Sequence, residues 1–170
     1  MTARQLILIR HAKADSGPSD EERPLTERGE RDATALGRWL AAQETSIDRV
    51  AVSPALRAQQ TWNAVRSALT APATVEDERI YANTVDDLLA VVHDTHDDVT
   101  TFAVVGHNPG LGDLAAALDD GAGDATARAA LAEGFPTASA AVFAVPSPWA
   151  DVAPDTLPLT TLFTARASEQ

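Results

Sequence analysis

The chain has no cysteine and, among its 170 residues, a single lysine, a single methionine and a single tyrosine. Without cysteine there are no disulfides, no thiolate metal ligands and no thiol nucleophile, and the cytoplasm is the default compartment. No uninterrupted apolar stretch reaches the length of a membrane span. The first five residues run straight into a strand, with no signal-like segment ahead of it. Positive charge is scarce. A formal net charge of −12 argues against nucleic acid or an anionic membrane as partner. Twelve of the 13 basic residues are arginines, and the one lysine, Lys13, lies two places after His11. Any anionic ligand must therefore be attracted by a few local cations against the overall field.

What is present is an ordinary globular composition, 45% hydrophobic and 22% charged. The length fits one domain over residues 1–170, with a frayed tail at 165–170. The most informative segment is Leu6-Ile7-Leu8-Ile9-Arg10-His11-Ala12-Lys13. Four apolar residues bounded by charge read as a buried central strand, and it ends in an arginine followed by a histidine.

Strands and helices then alternate. Thr26 caps a helix whose apolar face is Ala33, Leu36, Gly37 and Leu40. A short strand over 49–52 stops at Pro54 and leads into a helix carrying Ala58, Trp62, Val65 and Leu69. Val85, Leu88, Leu89 and Val92 mark another helix. Residues 101–106 form a second buried strand, and the following helix carries Leu111, Leu114, Ala115 and Leu118. A short helix at 125–132 and two strands, 138–145 and 157–163, complete the chain. The prediction is an α/β three-layer sandwich, with a mostly parallel central sheet, helices on both faces and an antiparallel edge strand.

Three strand ends carry chemistry. The first delivers Arg10 and His11, the second Ser53-Pro54-Ala55-Leu56-Arg57, and the third Gly106-His107-Asn108-Pro109. If these strands are parallel neighbours, all four charged or titratable side chains meet at one edge of the sheet. Asn108 and Pro109 fit the first positions of the next helix, which would aim free N–H groups at the same place. Two arginines, two histidines and a helix start describe a pocket for a dianion with a nucleophile inside it.

These segments, with Arg23-Pro24-Leu25-Thr26-Glu27-Arg28-Gly29 between the first and second, resemble the histidine phosphatase superfamily. The short chain and its Arg-His-Ala-Lys form are most similar to the SixA-type phosphohistidine phosphatases. The resemblance implies a phosphoglycerate mutase-like fold and a phosphoenzyme, with the phosphoryl group taken by His11 and then removed by water. It further implies that Arg10, Arg57 and His107 hold the phosphoryl oxygens; Asn108, Lys13 and Arg23 are further candidate substrate contacts. Neither metal nor cofactor is required. His107 would be cationic beside the phosphate charge. Many members have glycine after the nucleophile; Ala12 instead requires a loop with negative φ.

A general acid is less evident. Larger members supply a carboxylate between the second and third motifs, and here Glu78 is the first candidate and Asp86 the second. A weak acid suits phosphohistidine, because imidazole leaves more readily than an alkoxide. The expected substrate is a phosphorylated protein bearing phosphohistidine, with a small phosphate ester as alternative.

Blander readings exist for each residue. His11 or His107 alone would fit a hydrogen-bonded structural histidine, and Arg23 would fit a surface pair with Asp20, Glu21 or Glu22. A module that binds phosphate without turnover would need the arginines but not the nucleophile. Retention of both histidines favours the enzyme.

Overall fold

The four apolar residues of the first strand are fully buried, because helices cover the sheet on both sides. The computed structural model describes residues 3–44, 46–70 and 72–168. The strands are β1 (Arg4–Arg10), β2 (Arg49–Val52), β3 (Ala73–Glu76), β4 (Thr101–Gly106), β5 (Ser139–Val145) and β6 (Leu159–Thr164). They form one sheet in the order β3-β2-β4-β1-β5-β6. The first four in that order are parallel, whereas β5 runs antiparallel to both β1 and β6. The last two strands thus form the expected antiparallel pair, and the reversed strand lies one place in from the edge.

Side chains alternate across the sheet, as the pleat requires. Ile7, Ile9, Val50, Val52, Ala103 and Val105 face α1 (Glu27–Ala42) and α2 (Leu56–Arg66). Leu6, Leu8, Ala51, Phe102 and Val104 face the opposite layer. That layer contains α4 (Val85–His93), α5 (Gly110–Leu118) and α6 (Ala125–Glu133), joined to the sheet through the short α3 (Glu78–Ala82). α1 starts as its sequence indicates, with Thr26 Oγ1 accepting the Gly29 N–H at 2.9 Å. Gly37 lets α1 cross α2 closely, since a Cβ there would fall 2.3 Å from the Val65 carbonyl oxygen.

Two departures from the sequence prediction have local causes. β3 has no counterpart among the expected strands, and all four of its residues are exposed. An edge strand without a buried face gives no alternating signal. Trp149, in the connection between β5 and β6, packs into the core. It is fully buried, donates Nε1–H to the Val99 carbonyl at 2.9 Å and meets Phe102 edge-on. The expected fraying also fails for 165–168. Ala165 is fully buried with its N–H on Ala138, and the Ala167 N–H donates to the buried Asp32 carboxylate at 2.8 Å. Residues 169 and 170 lie outside the described residues.

Candidate active site

β2, β4 and β1 are adjacent and parallel, so their C-terminal ends open at one edge of the sheet. The His11 N–H donates to the Gly106 carbonyl at 2.9 Å, tying the end of β1 to the end of β4. The rings of His11 and His107 consequently lie 5.3 Å apart, tilted by 55°.

The tautomer of His11 follows from its partner. Nδ1 lies 2.7 Å from the Ala12 carbonyl oxygen, which can only accept, so the ring proton sits on Nδ1. Nε2 is left with its lone pair. Burial, reinforced by the charges of Arg57, Arg10 and Arg23, pushes this imidazole down to about 4. It is therefore neutral at pH 7, with a nitrogen available for attack. The Ala12 N–H donates to Thr61 Oγ1 at 3.0 Å, and that hydroxyl donates to the Arg57 carbonyl at 2.7 Å. Ala12 is not among the residues with positive φ, as alanine at this position requires.

His107 is held from the other side. Its Nε2 lies 2.7 Å from Ser53 Oγ, which also accepts the Ala55 N–H at 3.2 Å. Burial, then the Arg57 charge and His11, pushes His107 down to about 3. When the serine hydroxyl donates to Nε2, the neutral ring carries its own proton on Nδ1. The cation expected here from sequence thus requires the field of a bound anion.

Both arginines are anchored at one end and open at another. Arg57 donates Nη1–H to the Asp20 carbonyl at 2.7 Å and Nη2–H to Asp20 Oδ2 at 3.1 Å. Arg10 donates Nη1–H to the Phe135 carbonyl at 3.0 Å. Among the described residues, five buried side-chain atoms have no hydrogen-bond partner, and three of them are Arg10 Nε, Arg57 Nε and His107 Nδ1. Buried N–H groups are rarely left unpaired in folded proteins. Three of the five lie on this one cluster.

Other expected contacts take different places. The first N–H groups of α5 are not free: Gly110 donates to Asn83 Oδ1, Leu111 to the His107 carbonyl and Gly112 to Asn108 Oδ1. A Cβ on Gly110 would fall 2.2 Å from Asn83 Oδ1, so only glycine allows that cap. The helix start is closed by Asn83 and by its own loop, and its first N–H groups are not free for an anion. Asn108 also donates Nδ2–H to the Phe135 carbonyl at 2.8 Å, which makes it a brace between this loop and Arg10. Lys13 is exposed and shares no hydrogen bond with the cluster. Glu78 and Asp86 are exposed in the first turns of α3 and α4, and neither bonds to a site residue.

The carboxylate that does reach the cluster is Asp20, which the sequence offered only as a surface partner of Arg23. Its Oδ2 accepts from Arg57 and from Tyr81 Oη at 2.6 Å, and its Oδ1 from Arg23 at 3.4 Å. The Tyr81 hydrogen bond, with those of Arg57 and Arg23, pulls Asp20 down to about 2. Tyr81 itself lies edge-on to His107, with centroids 5.7 Å apart. Arg23 forms the surface pair with Asp20, and its side chain is 38% exposed. Ser53 carried a signal in its Ser-Pro-x-x-Arg context; Asp20, Tyr81 and the Phe135 carbonyl carried none. No group of three or more His, Cys, Asp or Glu among the described residues is placed to hold a metal ion.

The family model described as histidine phosphatase superfamily (branch 1) matches residues 6–80. Phosphohistidine phosphatase SixA of Escherichia coli is 35% identical over 121 residues, covering 69% of this chain and 75% of its own. The chain belongs to the histidine phosphatase superfamily. A Nakamurella multipartitia protein provisionally described as a phosphohistidine phosphatase SixA superposes with a TM-score of 0.86 at 32% identity, covering 96% of each chain. A structure of the protein histidine phosphatase SixA complexed with tungstate gives a TM-score of 0.76 at 26% identity, covering 94% of this chain and 96% of that one. The sheet with its flanking helices is the fold these structures share. Within the superfamily the short chain sides with SixA.

Proposed function

We propose that the protein is a phosphatase acting through a phosphohistidine on His11, with a phosphorylated protein bearing phosphohistidine as its substrate. One observation carries this reading: a buried neutral imidazole with Nε2 unprotonated stands among three unpaired nitrogens of Arg10, Arg57 and His107. His11 Nε2 attacks phosphorus, the bond to the leaving group breaks, and water then returns His11 and releases phosphate. The two guanidiniums and the Nδ1–H of His107 take the phosphoryl oxygens, where charge accumulates in the transition state. The names of the E. coli relative and of the tungstate complex support the same substrate class.

Leaving-group chemistry points the same way. An alkoxide needs a proton from a positioned acid, and Asp20, the one carboxylate bonded to the cluster among the described residues, is ionised at neutral pH. Phosphoramidates and aryl phosphates should therefore turn over faster than alkyl phosphates. Glu78 and Asp86, both exposed, offer no observation in favour of an acid role.

The deciding experiment is hydrolysis of p-nitrophenyl phosphate and of a phosphohistidine protein in EDTA, with and without vanadate. Turnover that survives chelation, is blocked by vanadate and disappears in His11→Ala is expected. Stoichiometric phosphate binding without turnover would instead identify a binding module. A kcat/KM for a phosphoserine peptide equal to that for phosphohistidine would point to a general phosphomonoesterase.

A further inference from the structure

The candidate site has a buried floor and an exposed rim, and they differ in chemistry. His11, Arg57 and His107 are each less than a tenth exposed. On the rim, the side chain of Asp20 is 54% exposed and that of Arg23 38%. A phosphoryl group on the floor must carry the rest of its substrate outward past Asp20, Arg23 and Tyr81. Asp20 is also anchored twice to α2, because the Leu56 N–H donates to the neighbouring Glu21 carbonyl at 2.8 Å while Arg57 holds Asp20 itself. Its Oδ2 accepts two strong hydrogen bonds, whereas Oδ1 receives one long contact from Arg23. A carboxylate has about four lone-pair positions, so a half-exposed Asp20 keeps acceptor capacity facing outward.

We propose that Asp20 accepts the ring N–H of a phosphorylated imidazole, making it the residue by which this site selects a nitrogen leaving group over an alkoxide. The proposal rests on the phosphatase reading above and adds to it the means of discrimination. A phosphorylated imidazole protonated on its distal nitrogen has a cationic ring, which an ionised carboxylate beside that nitrogen favours. His11 Nε2 bonds to phosphorus, the P–N bond breaks, and its electron pair returns to the departing ring. The ring leaves as neutral imidazole with its N–H still on Asp20, and no proton has to reach the leaving atom. A departing alkoxide would need that proton, and Asp20 holds none.

The groups facing Asp20 are Arg57 from α2, Tyr81 from α3 and Arg23 from its own loop, with His107 behind Tyr81 and Glu21 beside it. All three direct neighbours donate to it, so the group that titrates near neutrality is the substrate imidazole.

The test compares kcat/KM for N-phosphoimidazole and p-nitrophenyl phosphate in wild type, Asp20→Asn and Asp20→Glu, from about pH 5 to about pH 9. Asp20→Asn is expected to lower the ratio of the two constants at least about tenfold, the loss expected for one charge-assisted hydrogen bond. In kcat, which reports the bound complex, it should also move the alkaline limb for N-phosphoimidazole to lower pH, and Asp20→Glu should recover part of both. Equal losses on the two substrates, with unshifted limbs, would overturn the proposal and leave Asp20 as a residue that orients Arg57. A wild-type protein that turns over neither substrate would overturn the phosphatase reading itself, a separate result.

Discussion

Ser53 Oγ stands 2.7 Å from His107 Nε2, and both residues are almost wholly removed from solvent. With the serine proton on Nε2, the imidazole proton faces the other way, from Nδ1. Ser53→Ala removes this constraint and leaves a buried ring nitrogen unpaired. The variant is expected to stay folded and to lose about tenfold to a hundredfold in kcat on an aryl phosphate. Steady-state kinetics beside a thermal melt would separate this from a loss of stability; unchanged kcat would refute the role.

The acidity of the medium should act through the two histidines. Both titrate below the ordinary value of 6.5, at about 4 for His11 and about 3 for His107, chiefly because they are buried. Between those values and 6.5 the unfolded chain binds protons that the folded chain does not. Stability therefore rises with pH across that window and is lost on acidification. Asp20, held at about 2 against an ordinary 3.8, contributes stability that is present above 3.8 and lost below it. The melting temperature is expected to fall as pH drops below 6.5, and His107→Gln should flatten the upper part of that slope. The acid limb of kcat/KM, corrected for substrate ionisation, should lie near 4; a limb at 6.5 would contradict the tautomer argument.

Thr61 links the loop after β1 to the start of α2. Its hydroxyl accepts the buried Ala12 N–H and donates to the Arg57 carbonyl. Thr61→Val preserves shape but leaves that N–H unpaired, which costs about 1–3 kcal/mol. Urea denaturation would measure it, and a change under about 0.5 kcal/mol would place Thr61 among ordinary surface-like substitutions.

The C-terminal segment is clamped by Asp32, which is 2% exposed and accepts from the Ala167 N–H and from Arg28 Nε at 3.3 Å. Asp32→Ala should release residues 165–168 without touching the candidate site. Amide hydrogen exchange at Ala167 is expected to lose its protection while kcat/KM is retained. Persistent protection at Ala167 would show that Ala165 burial alone holds the segment.

How much of this was legible beforehand depended on whether a signal was local. Periodicity 2 and 3.6 located the buried strands and the amphipathic helices, since burying one face imposes that spacing. β3 and α3 were missed because an exposed edge strand and a single helical turn impose none. The four residues at the ends of β1, β2 and β4 were readable because each sits just beyond an apolar run or a proline stop. By itself the sequence determined the layered α/β class, the absence of thiol chemistry and the four side chains that gather at the sheet edge. Only the tertiary structure decided which groups finish the cluster. Asp20 and Tyr81 lie 61 positions apart and meet at 2.6 Å, and no local pattern encodes such a contact. The helix start that looked open is closed by Asn83 from another loop. Backbone periodicity is a property of neighbours in sequence, whereas the fate of a hydrogen-bonding group depends on whatever the fold brings beside it.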